Sequence, residues 1–166
     1  FGLSYTGFGI TCSPAEHRDG ETIVRVKVTN TGALPGKEVV QVYVNPPQGK
    51  LGKPLRNLAA FAKTKCLVPG EEQELTLKFS DYDIASYDDS GVTGHKSCYV
   101  LEKGSYEVYA GTDVRSAEAA GSFEIPETEV ISACTEAAGP VRKFERMRVG
   151  KGGVLAWEEV PVRTHK

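Results

Sequence analysis

Three acidic clusters are the residues of this chain best suited to chemistry. They are Glu71-Glu72, Asp81 with Asp83, and Asp88-Asp89. Hydrolysis by a pair of carboxylates requires the two groups to lie about 5–9 Å apart across a pocket. Each cluster instead lies next to Gly, Pro or Ser, in contexts where acidic residues form turns and remain solvated. We therefore predict no catalytic carboxylate pair.

Histidine, cysteine and aspartate are the other candidate reactive or metal-binding residues. His17, His95 and His165 are isolated in polar contexts, and no nucleophile is placed near them. The aspartates at positions 81–89 lack the spacing of a calcium-binding loop. The four cysteines lie far apart without a C-x-x-C pair, which favours reduced, mostly buried thiols over two disulfides or a zinc site. The sequence predicts no catalytic, cofactor-binding or metal-binding residue, and no cofactor.

Composition argues against two classes of partner. The chain has 166 residues and a formal net charge of −2, which gives no reason to expect nucleic acid or an anionic membrane as a partner. No apolar run approaches the roughly 20 residues of a membrane span. The basic stretch 142–151 is interrupted by Glu145 and Gly150, which favours a solvated or domain-facing arm over a nucleic-acid patch.

Short alternating strands between Gly, Pro and Asp turns must position these residues. In residues 23–30 valines alternate with polar residues, so Val26 should face a core and Lys27 should face water. Residues 38–44 are apolar at nearly every position, which predicts a strand covered on both faces or central in its sheet. About seven strands at this spacing predict an all-β fold, a two-sheet antiparallel β-sandwich of fibronectin type III or immunoglobulin type, with an extended C-terminal arm.

Four further features of the sequence bear on the fold. Residues 55–68 show no sustained period, and their structure stays open. Within residues 81–87 we expect a single helical turn. Tyr106 begins a late strand, so it suits either a tyrosine corner or an ordinary core position. After Pro126 the pattern weakens, and we expect a linker or arm that needs a neighbouring surface to become ordered.

Local motifs add information that periodicity does not. In chain order they are FGLSYT at 1–6, VKVTNTG at 26–32, GKEVVQVYV at 36–44, PLRNL at 54–58 with Phe61, LVPGE at 67–71, and GSYEVYAG at 104–111. Each is weak alone, but together and in this order they resemble the fibronectin type III-like domain of family 3 glycoside hydrolases. The chain departs from the family's usual pattern at Ala60-Phe61, where Gly-Phe is common, and in the unusual stretch 92–98.

The resemblance implies a domain organisation. Residues 1–7 would be the linker from a preceding α/β sandwich domain, residues 8–126 the fibronectin type III-like β-sandwich, and residues 127–166 an arm leading to a following barrel. This is the order of the family's permuted subset, and the chain, which begins at Phe1 without methionine, would be a slice of a longer protein. The family's nucleophile and acid/base lie in its other domains, so the resemblance implies a non-catalytic module of a β-glucosidase or β-xylosidase type parent.

The expected partners are the catalytic domains of the same parent chain. Candidate contact residues are Phe1, Leu3, Tyr5, Leu58, Phe61 and Trp157. The alternative is a carbohydrate-binding module that uses exposed aromatic residues, for which the candidates are Tyr43, Tyr82, Tyr87, Tyr99, Tyr109 and Trp157. Unpaired cysteines and the permuted order favour a cytoplasmic parent.

Overall fold

The computed structural model describes residues 4–135, 139–149, 153–160 and 162. Strands dominate these residues, as the predicted all-β fold requires, and the one helix among them is too short to cross a membrane. The strands are β1 Phe8–Cys12, β2 Glu16–Arg18, β3 Glu21–Asn30, β4 Val39–Asn45, β5 Asn57–Lys63, β6 Glu72–Ser80, β7 Ser86–Asp88, β8 Cys98–Leu101, β9 Gly104–Gly111, β10 Glu118–Ile125, β11 Glu129–Ala133, β12 Glu145–Val149 and β13 Leu155–Glu159. Helix α1 spans Asp81–Ile84.

Two antiparallel four-stranded sheets form the sandwich. In the first, β3 pairs with β1 and β2 along one edge and with β6 along the other. In the second, the strand order is β10-β9-β4-β5. The fibronectin type III-like sandwich expected from the sequence is therefore confirmed.

The core lies between the inward faces of β3 and β4. Val26 is fully buried whereas Lys27 is exposed, so the faces of β3 are those that the alternation predicts. Strand β4 lies between β9 and β5 and buries Val42 on one face and Tyr43 on the other. Its nearly continuous apolar sequence follows from this central, doubly covered position.

Tyr106 forms the tyrosine corner. Its side chain is buried, and its hydroxyl donates a hydrogen bond to the carbonyl oxygen of Glu102 at 3.1 Å, four residues upstream. Burial raises the pKa of Tyr106 well above its ordinary value, so the hydroxyl remains a donor. The ring stacks on Phe123 at 5.4 Å, and Phe123 stacks on His17 at 4.0 Å. The connection between β8 and β9 is thereby tied to the core.

A third sheet in the order β11-β8-β7 extends the sandwich. Strand β11 lies in the segment expected to be an arm, and its residues pair with β8 from Glu129 opposite Leu101 to Ala133 opposite Cys98. The expected helical turn is α1, where the Asp83 carboxylate accepts a hydrogen bond from the Ser80 N–H at 2.7 Å.

The cysteines depart from the prediction that they would be mostly buried. All four are free thiols: Cys66 and Cys134 are exposed, and Cys12 and Cys98 are partly buried. Cys66 lies in the connection between β5 and β6, and Cys134 directly follows β11, so neither position faces the core. Burial raises the pKa of the Cys12 thiol, and the nearby Glu118 carboxylate adds to this effect.

Candidate domain-contact surface

The first acidic cluster forms ion pairs beside a turn. Glu71 accepts hydrogen bonds from the Lys65 ammonium and the Val68 N–H, and these lower its pKa. The Thr29 hydroxyl, together with Lys27, lowers the pKa of Glu72 in the same way. Both carboxylates remain ionised acceptors for neighbouring groups of the chain.

The buried Asp88 side chain stabilises the loop that follows β7. Its carboxylate accepts hydrogen bonds from the backbone N–H groups of Gly91, Val92 and Thr93 at 2.7, 3.1 and 2.9 Å, and from the Thr93 hydroxyl at 2.6 Å. Burial alone would raise the pKa of Asp88, but these bonds together outweigh it, and the pKa is lowered. Within the described ranges, no group of three or more His, Cys, Asp or Glu side chains is arranged to hold a metal ion.

The outer face of the second sheet carries a fixed polar layer. The Arg56 guanidinium lies 4.0 Å from the centroid of the Tyr109 ring and donates hydrogen bonds to Asn45 Oδ1 and the Val114 carbonyl, each at 2.9 Å. The Tyr109 hydroxyl donates to Glu107 at 3.0 Å, and this bond raises the pKa of Tyr109. Because Arg56 covers one face of the Tyr109 ring, that face is closed to a stacking sugar.

Tyr43 belongs to the same layer. Its hydroxyl donates a 2.5 Å hydrogen bond to Gln41 Oε1, and Gln41 Nε2 donates to the Thr112 carbonyl at 2.6 Å. The Tyr43 ring is buried. Two of the tyrosines considered for sugar binding therefore have structural roles in this sheet.

Strand β5 is an apolar edge. Leu55, Leu58 and Phe61 lie on or just before it and are 74, 50 and 70% exposed. Among the described residues β5 pairs with β4 alone, so its other edge has no ladder partner. Sheet edges are usually protected by charged residues or proline, but the strand NLAAFAK carries only Lys63. Exposed apolar side chains along an unpaired edge make β5 a candidate contact surface.

Buried contacts with Glu102 hold the loop that leads into β5. Lys53 Nζ lies 2.7 Å from Glu102 Oε2, and both side chains are buried. Glu102 also accepts the backbone N–H groups of Lys50 and Leu51 at 2.6 and 3.2 Å. Since Tyr106 binds the carbonyl of the same Glu102, one residue ties this loop to the tyrosine corner.

Strands β12 and β13 form a hairpin that is clamped to the sandwich by charge. Arg146 makes a bidentate ion pair with Asp89 at 2.5 and 3.1 Å, and its Nε donates to Glu158 at 2.8 Å. Arg148 donates to the other oxygen of Glu158 at 2.7 Å, which lowers the pKa of Glu158. Val160 is buried beside this charged face, so the face is directed at the sandwich.

The opposite face of the hairpin is apolar and exposed. Met147 lies directly across from Trp157, with Leu155 on the same side of the ladder. These side chains are 57, 66 and 62% exposed, and Trp157 is the single tryptophan of the chain. A cleft of about 500 Å³ separates the hairpin from the loop at residues 51–54 and from Tyr87, and Met147 and Leu155 line one side of it, whereas Trp157 does not.

The predicted contact residues lie on separate elements. Leu58 and Phe61 share the β5 edge, Trp157 lies on the hairpin, and Tyr5 is 80% exposed before β1. Phe1 and Leu3 lie outside the described residues. The sequence indicates Leu155 as a support for Trp157, but sequence reasoning missed Leu55 and Met147 as exposed neighbours of these residues. The alternation of ERMRV and LAWEE around a glycine-rich connection was the signal that could have identified the hairpin.

The aromatic residues considered for sugar binding include one exposed cluster. Tyr82 and Tyr87 are 52 and 39% exposed, and both contact Tyr99. The ring planes are inclined by 51° and 56°, so the three rings form a folded group rather than a flat platform.

Comparison with known proteins agrees with this architecture. A family model described as fibronectin type III-like domain matches residues 38–114. A β-glucosidase of Ruminococcus albus is 47% identical over 163 residues, which are 98% of this chain and 17% of that protein. The crystal structure of a β-glucosidase from Paenibacillus barengoltzii has 44% identity and a TM-score of 0.92, covering 99% of this chain and 19% of that one.

A third relative is similar over a smaller part of the chain. The structure of β-glucosidase 3B from Thermotoga neapolitana is 39% identical, with a TM-score of 0.66, and covers 78% of this chain. The chain thus spans less than a fifth of the length of these relatives. It is a fibronectin type III-like domain of the kind carried by glycoside hydrolase family 3 β-glucosidases.

Proposed function

We propose that the chain is a structural module of a β-glucosidase-like parent and that it packs against the catalytic domains and positions them. The observation that carries this proposal is the unprotected β5 edge with its exposed Leu55, Leu58 and Phe61. Complete burial of an exposed leucine or phenylalanine contributes about 1.5–3 kcal/mol, so three such residues supply substantial contact energy.

The rigidity around the edge supports a positioning role. Arg56, one residue from Leu55, is held by Tyr109, Asn45 and the Val114 carbonyl. The loop before β5 is held by the buried Lys53–Glu102 pair. A surface that is ordered before association loses little conformational entropy on docking, and it transmits a fixed orientation to its partner.

The relatives leave room for such partners. They are about five to six times as long as this chain, and their names describe β-glucosidases. In the parent, we propose, residues 1–7 enter from an α/β sandwich domain and residues 127–166 lead towards a barrel. The catalytic cleft then lies outside this chain. The module affects the shape of that cleft by fixing the positions of the domains that form it.

Carbohydrate binding is the second candidate function. The exposed Tyr82, Tyr87 and Tyr99 cluster is the observation that favours it, because tyrosine rings can stack on sugar rings. The β5 edge has no role under this alternative, so the two functions predict different sensitive residues.

A matched pair of variants in the full-length parent tests the packing function. Phe61→Asp should lower the melting temperature and the glucosidase activity of the parent, because it places a charge in the domain contact. Lys63→Asp, on the same strand, is the control. It should change the melting temperature and the activity of the parent only slightly. In the isolated chain both variants should melt near the unaltered chain, because both side chains are exposed. Equal, small effects in the parent would contradict the proposal.

A further inference from the structure

The outward face of the hairpin has an unusual charge arrangement at one end. Glu145 of β12 lies directly opposite Glu159 of β13, on the face that carries Met147 and Trp157. Like charges directly opposite each other destabilise an antiparallel pair. Lys143 compensates Glu159 at 2.8 Å. Among the described residues, no ion pair of comparable length involves Glu145.

The ion pairs of Arg146 on the inner face of the hairpin fix the orientation of this outer face. Arg146 is bound by both Asp89 and Glu158, and Val160, which directly follows β13, is buried. The hairpin therefore cannot bury Trp157 by turning over without breaking a bidentate ion pair. The chain holds a large apolar face outwards and accepts a repulsive acidic pair beside it.

We propose that this outer face docks onto a second domain of the same parent chain, at an apolar patch bordered by a basic side chain that pairs with Glu145. The patch would cover Trp157, Met147 and Leu155, and the basic group would relieve the repulsion between Glu145 and Glu159. This proposal rests on the packing function argued above and names the chemistry of a second, separate contact.

The occupant is argued from the size of the relatives. The match to the Paenibacillus barengoltzii structure covers 99% of this chain, so it includes the hairpin, while four fifths of that protein lies outside the match. A protein of that length holds further domains on the same polypeptide. A second copy of the chain is a less suitable occupant, because a two-fold contact uses the same face on both copies. Among the described residues, Lys143 beside that face already pairs with Glu159.

Glu145→Lys gives a test with opposite signs in the two contexts. In the isolated chain it removes the repulsion, so amide exchange over residues 145–149 and 155–159 should slow by about two- to five-fold. In the full-length parent it places a cation against the proposed basic group, so exchange in the same hairpin should accelerate. Slower exchange in both contexts would overturn the inference, as would exchange that is equal in the unaltered chain and the parent.

Two controls separate this inference from the packing function. Glu124→Lys reverses an exposed charge on β10, and it should leave hairpin exchange unchanged in both contexts. Phe61→Asp tests the β5 edge independently of the hairpin, so failure of one contact does not imply failure of the other. Trp157→Ala should accelerate hairpin exchange more in the parent than in the chain. Concentration-dependent protection of the hairpin in the isolated chain would assign the face to a second copy and overturn the proposal.

Discussion

The sandwich and the C-terminal hairpin both expose apolar side chains, but different forces hold them in place. Phe61 lies on a sheet whose core is formed by fully buried valines. Trp157 lies on two strands that are attached through Arg146, Asp89 and Glu158, groups that remain 29–39% exposed. Hydrophobic burial is not weakened by charge screening or by protonation, whereas partly exposed ion pairs are weakened by both. The two regions should therefore respond differently to the same perturbation.

The largest effect is expected in the core of the sandwich. Val26→Asp places an unpaired charge in a fully buried site and should abolish folding, because its cost of several kcal/mol is a large part of a domain's roughly 5–15 kcal/mol of stability. Lys27→Asp, one residue away on the solvent face, should be tolerated. Thermal melts followed by circular dichroism check both variants. Similar melting temperatures would show that packing between β3 and β4 is not what holds the sandwich.

A smaller effect is expected at the tyrosine corner. Tyr106→Phe keeps the ring but leaves the Glu102 carbonyl without its hydroxyl donor, a loss of about 1–3 kcal/mol for a buried group. The melting temperature should fall by several degrees while the hairpin stays attached. Tyr109→Phe is the control, since its hydroxyl binds the Glu107 carboxylate at a solvated surface. Urea unfolding of the two variants measures the difference, and equal losses would argue against a special role for the corner.

The hairpin should detach without unfolding the sandwich. Asp89→Asn removes the charge that Arg146 binds, so hairpin amide exchange should accelerate. The free energy of unfolding of the sandwich should change by less than about 0.5 kcal/mol. Glu124→Gln removes a comparable exposed charge elsewhere and serves as the control. A large loss of sandwich stability in Asp89→Asn alone would show that the hairpin is an integral part of the fold.

A fall in pH should also detach the hairpin before it unfolds the sandwich. The Arg148 hydrogen bond lowers the pKa of Glu158 in the folded state, so this contribution is complete above the ordinary glutamate value of about 4.3 and is lost as the pH falls through the lower folded value. The pKa of Asp88, which ends β7 and holds the adjoining loop, is also lowered. Hairpin exchange should therefore accelerate below about pH 4 before the core melts. Loss of hairpin protection and unfolding of the core at the same pH would show that the hairpin and the sandwich are not stabilised separately.

Sequence reasoning succeeded where local pattern and tertiary structure agree. The alternation around Val26 and the apolar run of β4 predicted which faces are buried, and the position of Tyr106 suggested its corner. The segment that contains β5 could not be assigned, because an alanine-rich edge strand with partly exposed faces has no clear period. The ion pair between Asp89 and Arg146 could not be predicted from the sequence, because the two residues are 57 positions apart and only the folded chain brings them together.

The smallest expected effect is the response of the isolated chain to sugars. Glucose, xylose and their β-linked oligosaccharides should leave Trp157 fluorescence and the amide shifts around Tyr82, Tyr87 and Tyr99 unchanged, because the tyrosine rings are inclined to one another and one face of Tyr109 is covered by Arg56. Aryl-glucoside turnover should equal that of buffer. Saturable binding tighter than about 1 mM, worth roughly 4 kcal/mol, would favour the carbohydrate-binding function, and loss of that binding in Tyr99→Ala but not in Tyr109→Ala would locate it. In that event the aromatic cluster, rather than the β5 edge, would be the functional surface of the sandwich.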